Sequence, residues 1–206
     1  MIISDTVYWI LFAIPSILIA STIHEYAHGL AAFKLGDPTA KAEGRLTLNP
    51  LVHIDPIGAL AMVLFRFGWS KPVPINEYNF KKRELGTAIT ALAGPLSNMI
   101  IAIICGLINW IFNIDLMSIG GVFLLTFTTI NLALAFFNLI PIPPLDGHKI
   151  VRAILPKTLR NFWERIEKFQ IILLVLFIIP ITPSGSIASI FMSFFITKSL
   201  LLLGFL

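Results

Sequence analysis

The stretch VYWILFAIPSILIASTI (Val7–Ile23) carries no charge, yet it runs straight into His24-Glu25-Tyr26-Ala27-His28 before the apolar pattern resumes over Gly29 to Phe33. A membrane-spanning helix needs about 20 apolar residues, so this segment predicts a span that holds two imidazoles and a carboxylate at membrane depth. Ionisable groups there are costly and are seldom left without a partner or a task. Residues four apart share one helix face, so His24 and His28 can both point at one metal ion. Glu25 projects beside them, where a carboxylate could take a proton from an attacking water. The bland alternatives are a chance match to a short pattern or a histidine pair facing a polar cavity.

Composition narrows the class. Of the 206 residues, 57% are hydrophobic and only 13% are charged, and the mean hydropathy is +0.89, values of a polytopic membrane protein. Little chain is left for a large domain outside the bilayer. The single cysteine, Cys105, excludes a disulfide framework and packs best as a small apolar side chain. The first apolar segment lacks a basic leader and carries the histidine motif, so it is expected to stay in the mature protein. The net charge of +4 does not point to nucleic acid, because the basic residues cluster in a few loops.

Those loops orient the chain. Val7–Leu35, Gly86–Phe112, Ser118–Leu139 and Ile187–Leu206 approach or exceed the length of a span. Phe169–Thr182 is a shorter fifth, ending at Pro180 and Pro183, and reads either as a thin span or as half of a hairpin with the last segment. Ile57–Phe67 reads as a re-entrant or interfacial piece. Lys and Arg fall between Lys34 and Arg83, between Lys149 and Lys168, and at Lys198, while the links around Asn113–Met117 and Pro183–Ser186 have none. With five crossings and one re-entrant segment, every basic loop lies on one side, which the positive-inside rule makes the cytoplasm. The predicted fold is therefore an all-α polytopic membrane protein with about five transmembrane helices. Lys41–Leu48 partly alternates and Lys71–Asn76 is a possible edge strand, so a small cytoplasmic-side β element, able to hold an unwound substrate as an added strand, is also expected.

Two histidines do not complete a zinc site, which needs a third protein ligand and an open position. Asp146 is the best candidate, in Asn138-Leu139-Ile140-Pro141-Ile142-Pro143-Pro144-Leu145-Asp146-Gly147. The prolines must break the preceding helix, and irregular backbone at membrane depth is tolerated only where protein buries it or it lines a wet cavity. The loop sits at the cytoplasmic end of its span, and His24 lies about 16 Å of helix before Leu35, so both halves of the site fall in the cytoplasmic half of the bilayer. Asp146 could instead cap the helix that begins near Gly147.

HExxH in the first long span followed by N-x-x-P-x-P-x-x-D-G resembles the site-2 protease family of intramembrane zinc metalloproteases (M50 type). Gly94-Pro95-Leu96-Ser97-Asn98 is similar to a further motif of that family. The resemblance covers about residues 7–152. It implies one membrane-embedded metalloprotease domain over 1–206, with a catalytic core at about 7–152 and C-terminal helices at 153–206, in the small branch without PDZ or CBS domains. It implies one zinc ion per chain, held by His24, His28 and Asp146, with Glu25 as catalytic base and Asn138 near the substrate carbonyl. Membrane-anchored proteins would be the substrates, cut in or near their transmembrane segments, within the lipid bilayer of a prokaryotic cell.

Asn138 could donate to the developing oxyanion or satisfy backbone groups freed by the prolines, and Asn98 is a weaker candidate for either role. His53 could approach the metal as a gate or an extra ligand but reads better as a structural loop histidine, and His148 is given no metal role. Trp110, Trp163 and Tyr8 fall near span ends and read as interface anchors. The competing class is a metal-binding membrane protein without proteolysis, a transporter or a substrate-holding pseudoprotease. A transporter should carry polar groups across the whole bilayer, and a pseudoprotease should have lost the base that Glu25 supplies.

Overall fold

A computed structural model of the chain describes residues 4–65, 68–182 and 185–206. Among them, three helices are long and apolar enough to cross a membrane: α1 (Asp5–Lys34), α3 (Arg83–Phe112) and α4 (Ile119–Asn138). Helix α1 begins at Ser4, whose hydroxyl accepts from the Val7 N–H. It widens to a π turn at Trp9–Ala13, just before Pro15, which has no N–H to give the preceding turn. It stops at Gly36, whose φ of 107° is open to glycine. There the Asp37 N–H reaches back to the Ala32 carbonyl and the Gly36 N–H to that of Phe33, a Schellman end. Helix α3 ends in left-handed Asn113, and α4 is capped by Ser118.

The three long helices pack on one another, with α3 in the middle. One apolar cluster joins α3 and α4 to the last helix and the turn after it: Ala102, Cys105, Leu132, Leu200 and Phe205. After α4 the chain turns sharply through its prolines, with a cis Pro143–Pro144 peptide. It continues as α5 (Asp146–Ile154), α6 (Lys157–Glu167), α7 (Gln170–Ile178), the short antiparallel pair β1 (Pro180–Thr182) and β2 (Gly185–Ser186), and α8 (Ile187–Leu202). At 1.5 Å per residue α7 and α8 are about 14 and 24 Å long, less than the roughly 30 Å of a hydrocarbon core. Pro180 ends α7, so the two form a hairpin of short apolar helices, one of the two arrangements open for Phe169–Thr182 in the sequence.

Between α1 and α3 the structure departs from the sequence reading in one respect. No strand forms at 41–48 or 71–76: Thr39–Ala42 is a helical turn, Gly44 turns the chain with φ 67°, and the later segment is extended but unladdered. Pro72 and Pro74 explain this, since neither has an N–H to give a ladder. The two segments still meet, through the Arg45 side chain on the Lys71 and Pro72 carbonyls. The segment expected to re-enter the membrane, Ile57–Phe67, overlaps helix α2 (Pro56–Phe65), about 15 Å long; positions 66 and 67 of that expectation, like 183 and 184 of the last link, lie outside the described residues. The Trp163 indole stacks on His148 and its N–H donates to the His148 carbonyl. Trp110 is 80% exposed, as an anchor would be.

Buried Asp37 ties this loop to α1. Its carboxylate accepts from the Thr39 N–H and hydroxyl, the Asn76 N–H at 2.7 Å and the Asn79 amide at 2.7 Å. Burial alone would raise its pKa, but these donors, led by Thr39, outweigh that and hold it below the ordinary carboxylate value. A depressed carboxylate contributes stability that is present above its unfolded pKa, about 3.9, and is lost as pH falls through the lower folded value. Asp37→Ala is therefore expected to lower the thermal unfolding midpoint in detergent at pH 7, with a gap from wild type that narrows below about pH 4. A gap that is constant with pH would contradict this.

Candidate metal centre

The two histidines lie four residues apart on α1, facing α3. The approach is close because residue 94 is glycine: a Cβ there would stand 2.7 Å from His24 Cε1 and nearer still to the His28 ring. The ring orientations are set by what the Nδ1 atoms touch. His28 Nδ1 lies 2.7 Å from the Thr90 carbonyl, which can only accept, so Nδ1 carries the proton. His24 Nδ1 lies 2.6 Å from Asn98 Oδ1. Asn98 cannot be turned the other way, because its amide nitrogen donates to the Ala20 carbonyl and to Asn131 Oδ1. Asn131 is fixed in turn by its donation to the Phe127 carbonyl. Both histidines are thus protonated at Nδ1 and present a bare Nε2.

The two Nε2 atoms lie 3.0 Å apart, and Asp146 Oδ2 lies 3.2 Å from one and 3.1 Å from the other. All three side chains are buried. Asp146 is the first residue of α5, and its side chain turns to the histidines and not to capping. The tight fold of its loop depends on Gly147, where a Cβ would collide with the Leu139 and Ile140 carbonyls. Ile140 and Leu145 anchor the same loop in a cluster with Phe177 and Ala188. Three acceptors that converge at such distances repel one another unless a cation lies between them. Two nitrogens and one oxygen suit a divalent ion of borderline softness, zinc among them, with room for a further ligand. Among the described residues, His24, His28 and Asp146 form a group whose ligand atoms lie within 4.8 Å of one another.

The neighbours expected from sequence divide. Glu25 is buried beside this centre, with its carboxylate accepting from Ser70 Oγ and the Val73 N–H, each at 2.9 Å. Asn138 donates an amide hydrogen to the Leu134 carbonyl at 3.0 Å, one turn back in its own helix and not a group that the prolines free. His53 is buried with Nε2 2.8 Å from the Thr47 carbonyl, a loop contact away from the cluster. His148 faces Glu167 at 3.3 Å, and burial pushes its imidazole below the ordinary value despite that carboxylate. Arg152 anchors α5 on Glu77 at 2.6 Å. Burial would lower the guanidinium, and the Glu77 contact reverses this and raises it. Asn131 and Thr90 were not singled out in the sequence. An asparagine inside an apolar span was a usable signal for the first, whereas a backbone carbonyl leaves none for the second.

Comparison with known proteins came to the same region. The sequence model of peptidase family M50 matches residues 111–181, which contain the Asn138–Gly147 motif. YwhC of Bacillus subtilis, which carries a zinc metalloprotease name, is 38% identical over 187 residues, covering 85% of this chain and 82% of its own length. Zinc metalloprotease MJ0392 of Methanocaldococcus jannaschii is 34% identical over 157 residues, 76% of this chain but 38% of its own. Rip2 of Mycolicibacterium smegmatis, also named as a zinc metalloprotease, is 28% identical over 172 residues, 79% of this chain and 65% of its own. No solved structure matches.

Asn98→Leu should leave the helices in place but release the His24 ring, and outer partners of this kind are worth about 10–100-fold in metal affinity. A chelator-competition titration reads this directly, and unchanged affinity would contradict the role given to Asn98.

Proposed function

The chain belongs to peptidase family M50, and from that premise we propose that it is a zinc endopeptidase that cuts peptide bonds in or beside the transmembrane segments of membrane-anchored proteins. His24 and His28 would hold the zinc through Nε2 and Asp146 through Oδ2. The observation that carries this reading is the convergence of a carboxylate oxygen and two buried imidazole nitrogens whose ring protons are committed elsewhere. A zinc ion held there would supply Lewis-acid chemistry, polarising the scissile carbonyl and making water acidic enough to deprotonate near neutral pH.

The remaining work falls to the chain. Glu25 takes the proton of the attacking water on its carboxylate and returns it to the departing amine. Asn98 and the Thr90 carbonyl keep the histidine rings from rotating, so no energy is lost to reorientation during reaction. Helices α1, α3 and α4 exclude bulk water around the buried ligands. The ligands lie toward the ends of α1 and α4 that lead into loops rich in Lys and Arg, which supports an active site in the cytoplasmic half of the membrane.

The test uses wild type and Glu25→Gln, each loaded with zinc and co-reconstituted with a pool of single-span membrane proteins, with new N-termini mapped by mass spectrometry. Cuts in or beside spans that require Glu25 are expected, lost on zinc removal and regained on its return. Equal metal content in both proteins with no Glu25-dependent cut would overturn the proposal in favour of a metal-binding protein that does not cleave.

A further inference from the structure

Both oxygens of Glu25 are held by a segment 45 to 48 residues downstream. Ser70 Oγ donates to Oε1, and the Val73 N–H donates to Oε2. The local sequence Ser70-Lys71-Pro72-Val73-Pro74 makes the second contact selective, because the flanking prolines have no N–H and Val73 is the one donor between them. The Val73 side chain is buried against α1 at Gly29, where a Cβ would lie 3.3 Å from Val73 Cγ1. Gly29 is four residues from Glu25, so the segment lies along the helix face that carries the carboxylate.

The far side of this strap is also fixed. The Lys71 N–H donates to the His53 carbonyl at 2.8 Å. Gly58 lets the backbone pass, since a Cβ there would stand 3.0 Å from Trp69 N and nearer to its carbonyl oxygen. Buried Arg45 donates from Nη2 to the Lys71 carbonyl at 2.7 Å and to the Pro72 carbonyl at 3.3 Å. The Pro72 carbonyl and the Val73 N–H belong to one peptide group. That group therefore stands between a buried guanidinium and a buried carboxylate, accepting from one and donating to the other, and each bond polarises its neighbour.

We propose that Ser70 and Arg45 are positioning residues for Glu25, Ser70 by holding Oε1 directly and Arg45 by holding Oε2 through the Pro72–Val73 peptide. This rests on the reading of Glu25 as the base. A carboxylate seated on two fixed donors cannot swing about its last torsion, so its remaining lone pairs keep one direction toward the reacting water. A base held in that way loses rate, and not substrate affinity, when a donor is removed.

The experiment uses full-length, zinc-loaded Ser70→Ala, Ser70→Thr and Arg45→Lys proteins in liposomes, with the single-span protein that the pool shows to be cut fastest. Ser70→Ala and Arg45→Lys are expected to lower kcat about 10-fold with KM and zinc content unchanged, and Ser70→Thr to restore most of the rate. Apart from activity, hydrogen exchange at the Val73 amide should speed up in Glu25→Ala and in Arg45→Lys. Unchanged kcat in Ser70→Ala and Arg45→Lys beside an inactive Glu25→Gln would overturn the positioning roles alone. Exchange at Val73 that ignores Glu25→Ala would do the same, as would parallel losses of rate, zinc and folded protein. A Glu25→Gln protein that cuts at the wild-type rate would remove the base assignment and this proposal with it, while the exchange data would still report whether the strap grips position 25.

Discussion

Two imidazole lone pairs and a carboxylate oxygen meet within 3.2 Å of one another inside an apolar bundle, and neither ring has a proton left to give at that point. This arrangement is unfavourable without a cation, and much of the surrounding structure maintains it. Helix α1 provides the four-residue spacing. Gly94 lets α3 come close enough for Thr90 and Asn98 to claim the outer ring nitrogens. Helix α4 supplies Asn131 to orient Asn98, and the proline loop after α4 delivers Asp146. A group worth that many fixed partners in an apolar medium is hard to account for as packing, because an apolar core of the same volume would need none of them.

The support extends outward by bonds and not by a sheet. Asp37, Arg45, Glu77 and Arg152 each join one element to another: Asp37 and Arg45 bind the loop between α1 and α3, and Arg152 ties the helix of Asp146 to Glu77. They stand out in a chain of 206 residues of which only 13% are charged. The lipid-facing sides of the long helices are left to exposed Leu, Ile and Phe, as expected where the surrounding medium is itself apolar.

Much of this was legible in the sequence. The three long helices follow from apolar length alone, and the ligand trio follows from ionisable residues placed where burial is costly. The C-terminal segments were harder, because apolar content alone leaves both a thin span and a hairpin open for Phe169–Thr182, and the break at Pro180 and the turn after Leu202 set the helix lengths there. The β element was misread because Lys41–Leu48 alternates, while Gly44 and the two prolines near Val73 act through backbone geometry that periodicity does not see. Asn98 was visible as part of a motif, but its task was not, since the partner that fixes its amide lies on another helix. Arg45 gave no local signal at all; its meaning depends on a peptide group 27 residues away.

The most direct test of the central claim is X-ray absorption at the zinc edge on the metal-loaded wild type and Asp146→Asn. The account requires a light-atom shell with two imidazoles at about 2.0–2.1 Å and a carboxylate oxygen at a similar distance, with the carboxylate contribution lost in the variant. A wild-type shell with other than two imidazoles, or one that Asp146→Asn leaves unchanged, would contradict it.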